Sequence, residues 1–165
     1  MKLEKATLNS LDGDNYSFTF MYNPTSISIK RSVCVSENSG ARTEDEGIPK
    51  VSFGYPIAMV VSISDIIFDT YEDSKDRDVG NKLKKLIQAV KFIKGEERPP
   101  VYIFSWGSIN YLRCYVESVD YELSMFLPDG TPVRAKASIT MKQVDPPKGS
   151  TNPSPAKSRS LDSRW

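Results

Sequence analysis

Between Val133 and Met141 every second residue is small or apolar, and every residue between them is polar or charged. Val133, Ala135, Ala137, Ile139 and Met141 form one set; Arg134, Lys136, Ser138, Thr140 and Lys142 form the other. A period of two is the pattern of a strand with one packed and one wet face, whereas a helix would scatter both sets around its axis. A slip of one residue would exchange the two sets, so Thr131–Val144 predicts a strand whose register is strongly specified. Leu127-Pro128-Asp129-Gly130 precedes it and reads as a type I turn followed by a residue at positive φ.

Other strand signals fill most of the chain. Lys2–Leu8 and Tyr16–Met21 flank the turn-rich Leu11-Asp12-Gly13-Asp14 and predict a hairpin, which Asn23-Pro24 stops. Ser26–Val35, Pro56–Phe68, Val101–Trp106 and Asn110–Phe126 read as further strands, with Tyr111, Tyr115, Val119, Leu123 and Met125 on one face of the last. One helix is predicted over Val79–Ile93, capped by Asp78 and ended by Gly95. Its apolar residues Val79, Leu83, Leu86, Ile87, Val90 and Ile93 fall at helical spacing. The expected fold is therefore mainly β, a barrel or sandwich closed by one flanking helix. Residues 1–144 carry all of this and make one domain; 145–165, rich in Pro and Ser, read as a flexible linker or tail.

Catalytic chemistry finds little to work with. The chain has no histidine, which excludes Ser-His-Asp and Cys-His nucleophiles and His-ligated zinc. Cys34 and Cys114 are too far apart for a CxxC motif and are expected as free thiols in a reducing cytosol. Asp69, Glu72, Asp73, Asp76 and Asp78 lack the order of a calcium loop and suit a helix-preceding turn instead. Glu117 with Asp120, or Glu96 with Glu97, have nothing to give them a shared pocket and read as surface carboxylates. Neither a cofactor nor a metal is expected, and the protein is not expected to be an enzyme. Lys and Arg total 22 against 21 Asp and Glu, a net charge of +1, so nothing marks a nucleic-acid binder. The start, MKLEKATLNS, has no apolar signal segment, and no apolar run is long enough to span a membrane. Synthesis in the cytoplasm follows as the expectation.

Residues 31–50, RSVCVSENSGARTEDEGIPK, form a polar excursion between two strands, longer than an ordinary hairpin loop. Arg31, Glu37, Arg42, Glu44, Asp45 and Lys50 are its charged candidates for an arm that bridges to a neighbouring subunit. The face of Arg134, Lys136, Ser138, Thr140 and Lys142 is a second candidate contact, basic along its length.

Four strings occur in order: Phe20-Met21-Tyr22-Asn23-Pro24, Ile67-Phe68-Asp69-Thr70, Phe104-Ser105-Trp106-Gly107, and Phe126-Leu127-Pro128-Asp129-Gly130-Thr131-Pro132-Val133-Arg134-Ala135. Together they resemble the N-terminal domain of the contractile injection system tube protein family, over roughly residues 1–144. The resemblance implies a tail-tube-like fold and a structural role as a baseplate adaptor, with six copies forming a ring around a channel. Asn23, Pro24, Phe68, Asp69, Trp106, Gly107, Pro128, Asp129, Gly130 and Arg134 carry it. Implied partners are five further copies, a spike hub on one face, and the inner tube or a second tube initiator on the other. The basic strand face would then line the channel or meet a stacked ring. Members commonly carry a LysM module after a linker; the sequence ends at Trp165, inside what reads as that linker. The repeating subunit of the main tube is the closest alternative, and a ligand-binding β-barrel a more distant one.

Overall fold

The computed structural model describes residues 3–145, so Lys2 and nearly all of the tail lie outside the described residues. Strand β1 (Ala6–Ser10) pairs with the short β2 (Phe18–Thr19) in the expected hairpin. Strands β3 (Ser28–Arg42) and β4 (Pro49–Asp69) follow, then helix α1 (Val79–Gln88). Strands β5 (Val101–Trp106), β6 (Ile109–Phe126) and β7 (Pro132–Gln143) complete the chain. All seven strands join one antiparallel sheet in the order β2-β1-β5-β6-β7-β4-β3.

The mainly-β class with one helix is as expected, but the sheet is not hydrogen-bonded into a closed barrel. It ends at β2 on one side and β3 on the other. It is nevertheless rolled. β2 and β4 stand five strand steps apart in the sheet, roughly 24 Å if it were flat. Yet Phe18 of β2 and Phe68 of β4 have ring centroids 6.0 Å apart, and Met21 Sδ accepts from the Asp69 N–H. Side-chain packing closes the sandwich-like roll where hydrogen bonds do not. Phe20 then meets Phe18 and Phe104 edge-on, so aromatic rings span the interior from strand to strand.

β7 behaves as its alternation demands: Val133, Ala135, Ala137, Ile139 and Met141 are all buried. Its neighbours each change phase once. In β4 the buried set runs Val61, Ile63 and then Ile66, Phe68, with Asp65 at φ 58 in the irregularity between them. In β6 Leu112, Cys114 and Val116 are buried, after which Val119, Tyr121 and Leu123 pair with the buried residues of β7. The expected single face of β6 is therefore wrong. A bulge at Glu117 transfers the inward role from even to odd positions.

Helix α1 covers the core side of the sheet with Val79, Leu83 and Leu86. Asp78 caps it as expected, its Oδ1 accepting from Gly80 N–H at 2.8 Å. The helix stops at Gln88, five residues short of the predicted Ile93, and unwinds through i to i+3 bonds to Val90 and Lys91. Gly95, at φ 91, shapes the following 93–98 turn instead. Leu86 is fully buried, so Leu86→Ala should cost about 2–5 kcal/mol in urea unfolding. Unchanged stability would place the stripe at an interface and not in the core.

Asp12 ties the end of β1 to the start of β5. Its carboxylate accepts from Arg98 Nη1 and Nη2 at 2.9 and 2.8 Å and from Val101 N–H at 2.8 Å. The Arg98 hydrogen bonds, helped by the Val101 N–H, hold its carboxyl below the usual carboxylate range. A lowered folded pKa stabilises above the unfolded value and is lost as pH falls through the folded one. Asp12→Asn should lower the melting midpoint by roughly 2–4 °C at neutral pH, as a loss of about 1 kcal/mol does in a chain this size. That gap should begin to close below about pH 4 and vanish once the pH falls through the lowered folded pKa; a gap that persists in stronger acid would show that the carboxylate charge is not its source.

Candidate assembly surfaces

The segment 31–50, expected as a loop, is most of a β-hairpin. Ser32 pairs with Ile57, Val35 with Phe53, Glu37 with Val51 and Arg42 with Pro49. Beyond Ile57 these two strands pair, among the described residues, only with each other and project from the body as an arm. Its turn is closed by Thr43 N–H to Ile48 O at 2.9 Å, Gly47 N–H to Thr43 O at 3.2 Å and Ile48 N–H to Thr43 Oγ1 at 3.1 Å. Gly54 lets the strands approach, since a Cβ there would stand 3.1 Å from Cys34 O.

The arm has two unlike faces. Val33, Val35, Val51 and Phe53 share one, and all four are exposed, Phe53 to 78%. The other carries Cys34, Ser36, Asn38, Lys50 and Ser52. Ile29 pairs with the buried Val61, so by alternation along β3 the apolar face of the arm continues the core side of the sheet. Inside the body that side is covered by packing; along the arm nothing among the described residues covers it. Of the charged arm candidates, Arg42 donates Nη1 to Gly47 O at 3.2 Å, while Arg31, Glu37, Glu44, Asp45 and Lys50 point to solvent without ion pairs among the described residues.

The second candidate surface is the opposite side of β6, β7, β4 and β3. Across it lie Ser118, Asp120, Glu122 and Ser124 of β6; Arg134, Lys136, Ser138, Thr140 and Lys142 of β7; Ser62 and Asp69 of β4; and Ser28 and Lys30 of β3. Val60 and Ile67 of β4 lie on it too, so it is mainly polar, and it is not basic, which corrects the expectation. Arg134 donates Nε and Nη2 to Asp69 Oδ2 at 3.0 and 2.5 Å, Lys136 Nζ lies 2.6 Å from Asp65, and Lys142 Nζ lies 4.0 Å from Glu117. Asp69 is held below the usual carboxylate range first by the Tyr71 N–H and then by Arg134. Lys136 is raised by its hydrogen bond to Asp65. Each cation of the strand thus meets an acid from β4 or β6, which its own sequence neighbourhood does not reveal.

Two edges of this four-stranded sheet are open. β5 pairs with β6 only as far as Tyr115, so Val116–Phe126 has β7 on one side and no strand on the other among the described residues. Among the described residues β3 pairs only with β4. Tyr121, Leu123, Met125 and Phe126 lie exposed along the first edge, Ile29, Val33 and Val35 along the second.

The residues that carry the family resemblance hold the body together. Asn23 Oδ1 accepts from Ala6 N–H at 3.0 Å and its Nδ2 donates to Glu4 O at 2.8 Å; Trp106 Nε1 donates to the same Glu4 carbonyl at 3.2 Å. Pro24 follows Asn23 outside any strand, and Gly107, at φ 60, makes the tight β5–β6 turn. Phe68 closes the roll and Asp69 pairs with Arg134, while Pro128-Asp129-Gly130 turns β6 into β7, Asp129 Oδ1 accepting from Thr131 N–H at 2.9 Å.

The acidic stretch before α1 is used locally. Asp73 accepts from Lys75 N–H and Asp76 N–H, Asp76 accepts from Asn81, and Asp78 caps the helix. Cys114 is buried in the core, which pushes its thiol up to about 12, and Cys34 sits half-buried in the arm. No described helix is long and apolar enough to cross a membrane.

A search of curated proteins returns no match. A family model described as contractile injection system tube protein matches residues 2–152, nearly the whole chain and every element of the sheet. The chain belongs to the contractile injection system tube protein family, and its role is that of a structural component of such a particle.

Proposed function

We propose that this protein forms a hexameric ring, the baseplate adaptor that joins the spike hub to the inner tube, by pairing β3 of each copy with the free half of β6 in the next. The observation that carries this reading is the pair of open edges on one four-stranded sheet. β6 and β4 run one way, β7 and β3 the other. With an even number of strands per copy, rotation about a ring axis brings β3 antiparallel to the next β6, so the sheet continues without a change of pattern. Unpaired edges that invite aggregation are thereby consumed.

Six copies of four strands give a barrel roughly 37 Å across before tilt, at about 4.8 Å per strand. Barrels of 16–18 strands already enclose water, so this one holds an open channel. The polar side of the sheet, Arg134, Lys136, Ser138, Thr140 and Lys142 with their acidic partners, lines that channel. The arm bridges to a neighbouring copy, its apolar face covered there. No reaction is required of any residue.

Electron microscopy and light scattering of the full chain test this. Closed six-fold rings are expected. A monomer at all concentrations would overturn the ring. Concentration-dependent growth into long tubes would favour the main-tube subunit, which the same edges and the same family support.

A further inference from the structure

We infer that the acidic tip of the arm docks in a lysine-lined groove on a neighbouring copy of this chain; the inference rests on the assembly reading above and names a contact within it. The tip turn Thr43–Ile48 is held by backbone hydrogen bonds and presents Glu44, Asp45 and Glu46 consecutively, all exposed. None of the three is in an ion pair among the described residues. Such a turn offers three carboxylates already fixed in place, with little ordering left to do on binding.

The complementary surface lies where β2, the end of β4 and α1 meet. A groove of about 490 Å³ there is rimmed by Lys5, Lys82 and Lys85 with Asn81 and Thr19, over a floor that includes Phe18, and no carboxylate lines it. In a chain of net charge +1 the charge is locally segregated: the tip gathers three carboxylates beside one guanidinium, that of Arg42 on Gly47 O, and the groove gathers three ammonium groups. Lys82 has only Asp73 at 4.0 Å, Lys5 donates to Met21 O, and Lys85 has no acidic partner among the described residues.

Geometry favours another copy over the arm's own body. From Ser32 to Arg42 the arm extends roughly 35 Å at about 3.3 Å per residue. The body it leaves should have a radius of gyration of about 14 Å, so the tip reaches across one neighbouring body. The groove also lies on the side of the sheet that α1 covers, the side toward which the arm turns its apolar face. Val33, Val35, Val51 and Phe53 would be buried along the neighbour while the tip carboxylates meet the lysines at the far end.

The test is carbodiimide coupling, which joins a carboxylate directly to an amine, on an equal mixture of ordinary and nitrogen-15-labelled full chain. Light scattering reads assembly in the same samples. Links from Glu44, Asp45 or Glu46 to Lys5, Lys82 or Lys85 are expected between differently labelled chains. They should fall about tenfold at 0.5 M salt, where the screening length is about 4 Å. A tip-reversed chain (Glu44→Lys, Asp45→Lys, Glu46→Lys) and a groove-reversed chain (Lys82→Glu, Lys85→Glu) should each lose these links alone. Mixed together, they should regain them with the chemistry exchanged. Assembled particles without tip-to-groove links, or links confined to one label, would overturn this docking and leave the ring standing. A chain that stays monomeric and unlinked would overturn both.

Discussion

Phe68→Ala should destabilise the fold by about 3–5 kcal/mol, read as a shift in the urea midpoint of the full chain. Domains of this kind have about 5–15 kcal/mol in total, so the variant should be close to unfolding at physiological temperature. The residue is 1% exposed and belongs to β4, yet it packs on Phe18 of β2 across the roll. No hydrogen-bond ladder joins those two strands. Truncation therefore leaves a cavity at a seam that no strand ladder holds, and leaves β2, two residues long, with its short ladder to β1. Phe104, equally buried and bonded through β5 to strands on both sides, is the control. Its truncation should cost a similar amount without freeing β2, so accelerated amide exchange at Phe18 and Thr19 should distinguish the two. A Phe68→Ala protein with unchanged midpoint would mean the roll is held by something other than this contact.

Replacing Val33 and Val35 together by Lys should abolish ring assembly while changing monomer stability by no more than about 0.5 kcal/mol. Both valines are nearly half exposed on the outermost strand, at 49% and 46%, so the isolated chain loses little by their removal. In an assembled ring the same positions would be covered by a neighbour, and two ammonium groups there would be desolvated without partners. Lysines on an exposed strand are also a common natural means of preventing edge-to-edge pairing. Light scattering should report a monomer that melts like the parent. Normal rings from this variant would exclude β3 as the joining edge and would leave β2 as the remaining end of the sheet.

Much of the architecture was legible in the sequence because burial writes itself as period. β7 shows it best: five buried and five polar positions, unbroken. Two turns were equally readable, since Gly13 and Gly130 adopt positive φ in the turns their neighbours mark. The bulges were not. The residue at positive φ in β4 is Asp65, not a glycine, and Glu117 carries no mark at all, so the change of phase in β4 and β6 appears only once the strands are paired. The arm was misread for a different reason. Its apolar positions, Val33, Val35, Val51 and Phe53, already alternate, but Ser, Glu and Asn between them give the composition of a loop. The covering surface that would make the pattern obvious does not belong to the same body. The strand face that reads as basic in isolation is paired in space, because Asp65, Asp69 and Glu117 come from strands far away in the chain.

The two bulges have a consequence for how the gene can change. They flank β7 on either side, one opposite Ile139–Ala137 and the other opposite Met141–Thr140. Each divides its strand into halves that present opposite sets of residues to the interior. Loss of a single codon at Glu117 or Asp65 would restore an unbroken alternation on paper. In the molecule it would remove the extra residue and leave both buried sets facing inward, whereas loss of a codon on either side of a bulge would turn part of the strand inside out, burying residues such as Asp120 and Glu122 or Ile67 and Asp69. In-frame deletions that loops absorb freely are thus closed to β4 and β6 except at their bulges against β7. Other drift in length is left to the turn at the tip of the arm and to the connection between β4 and β5.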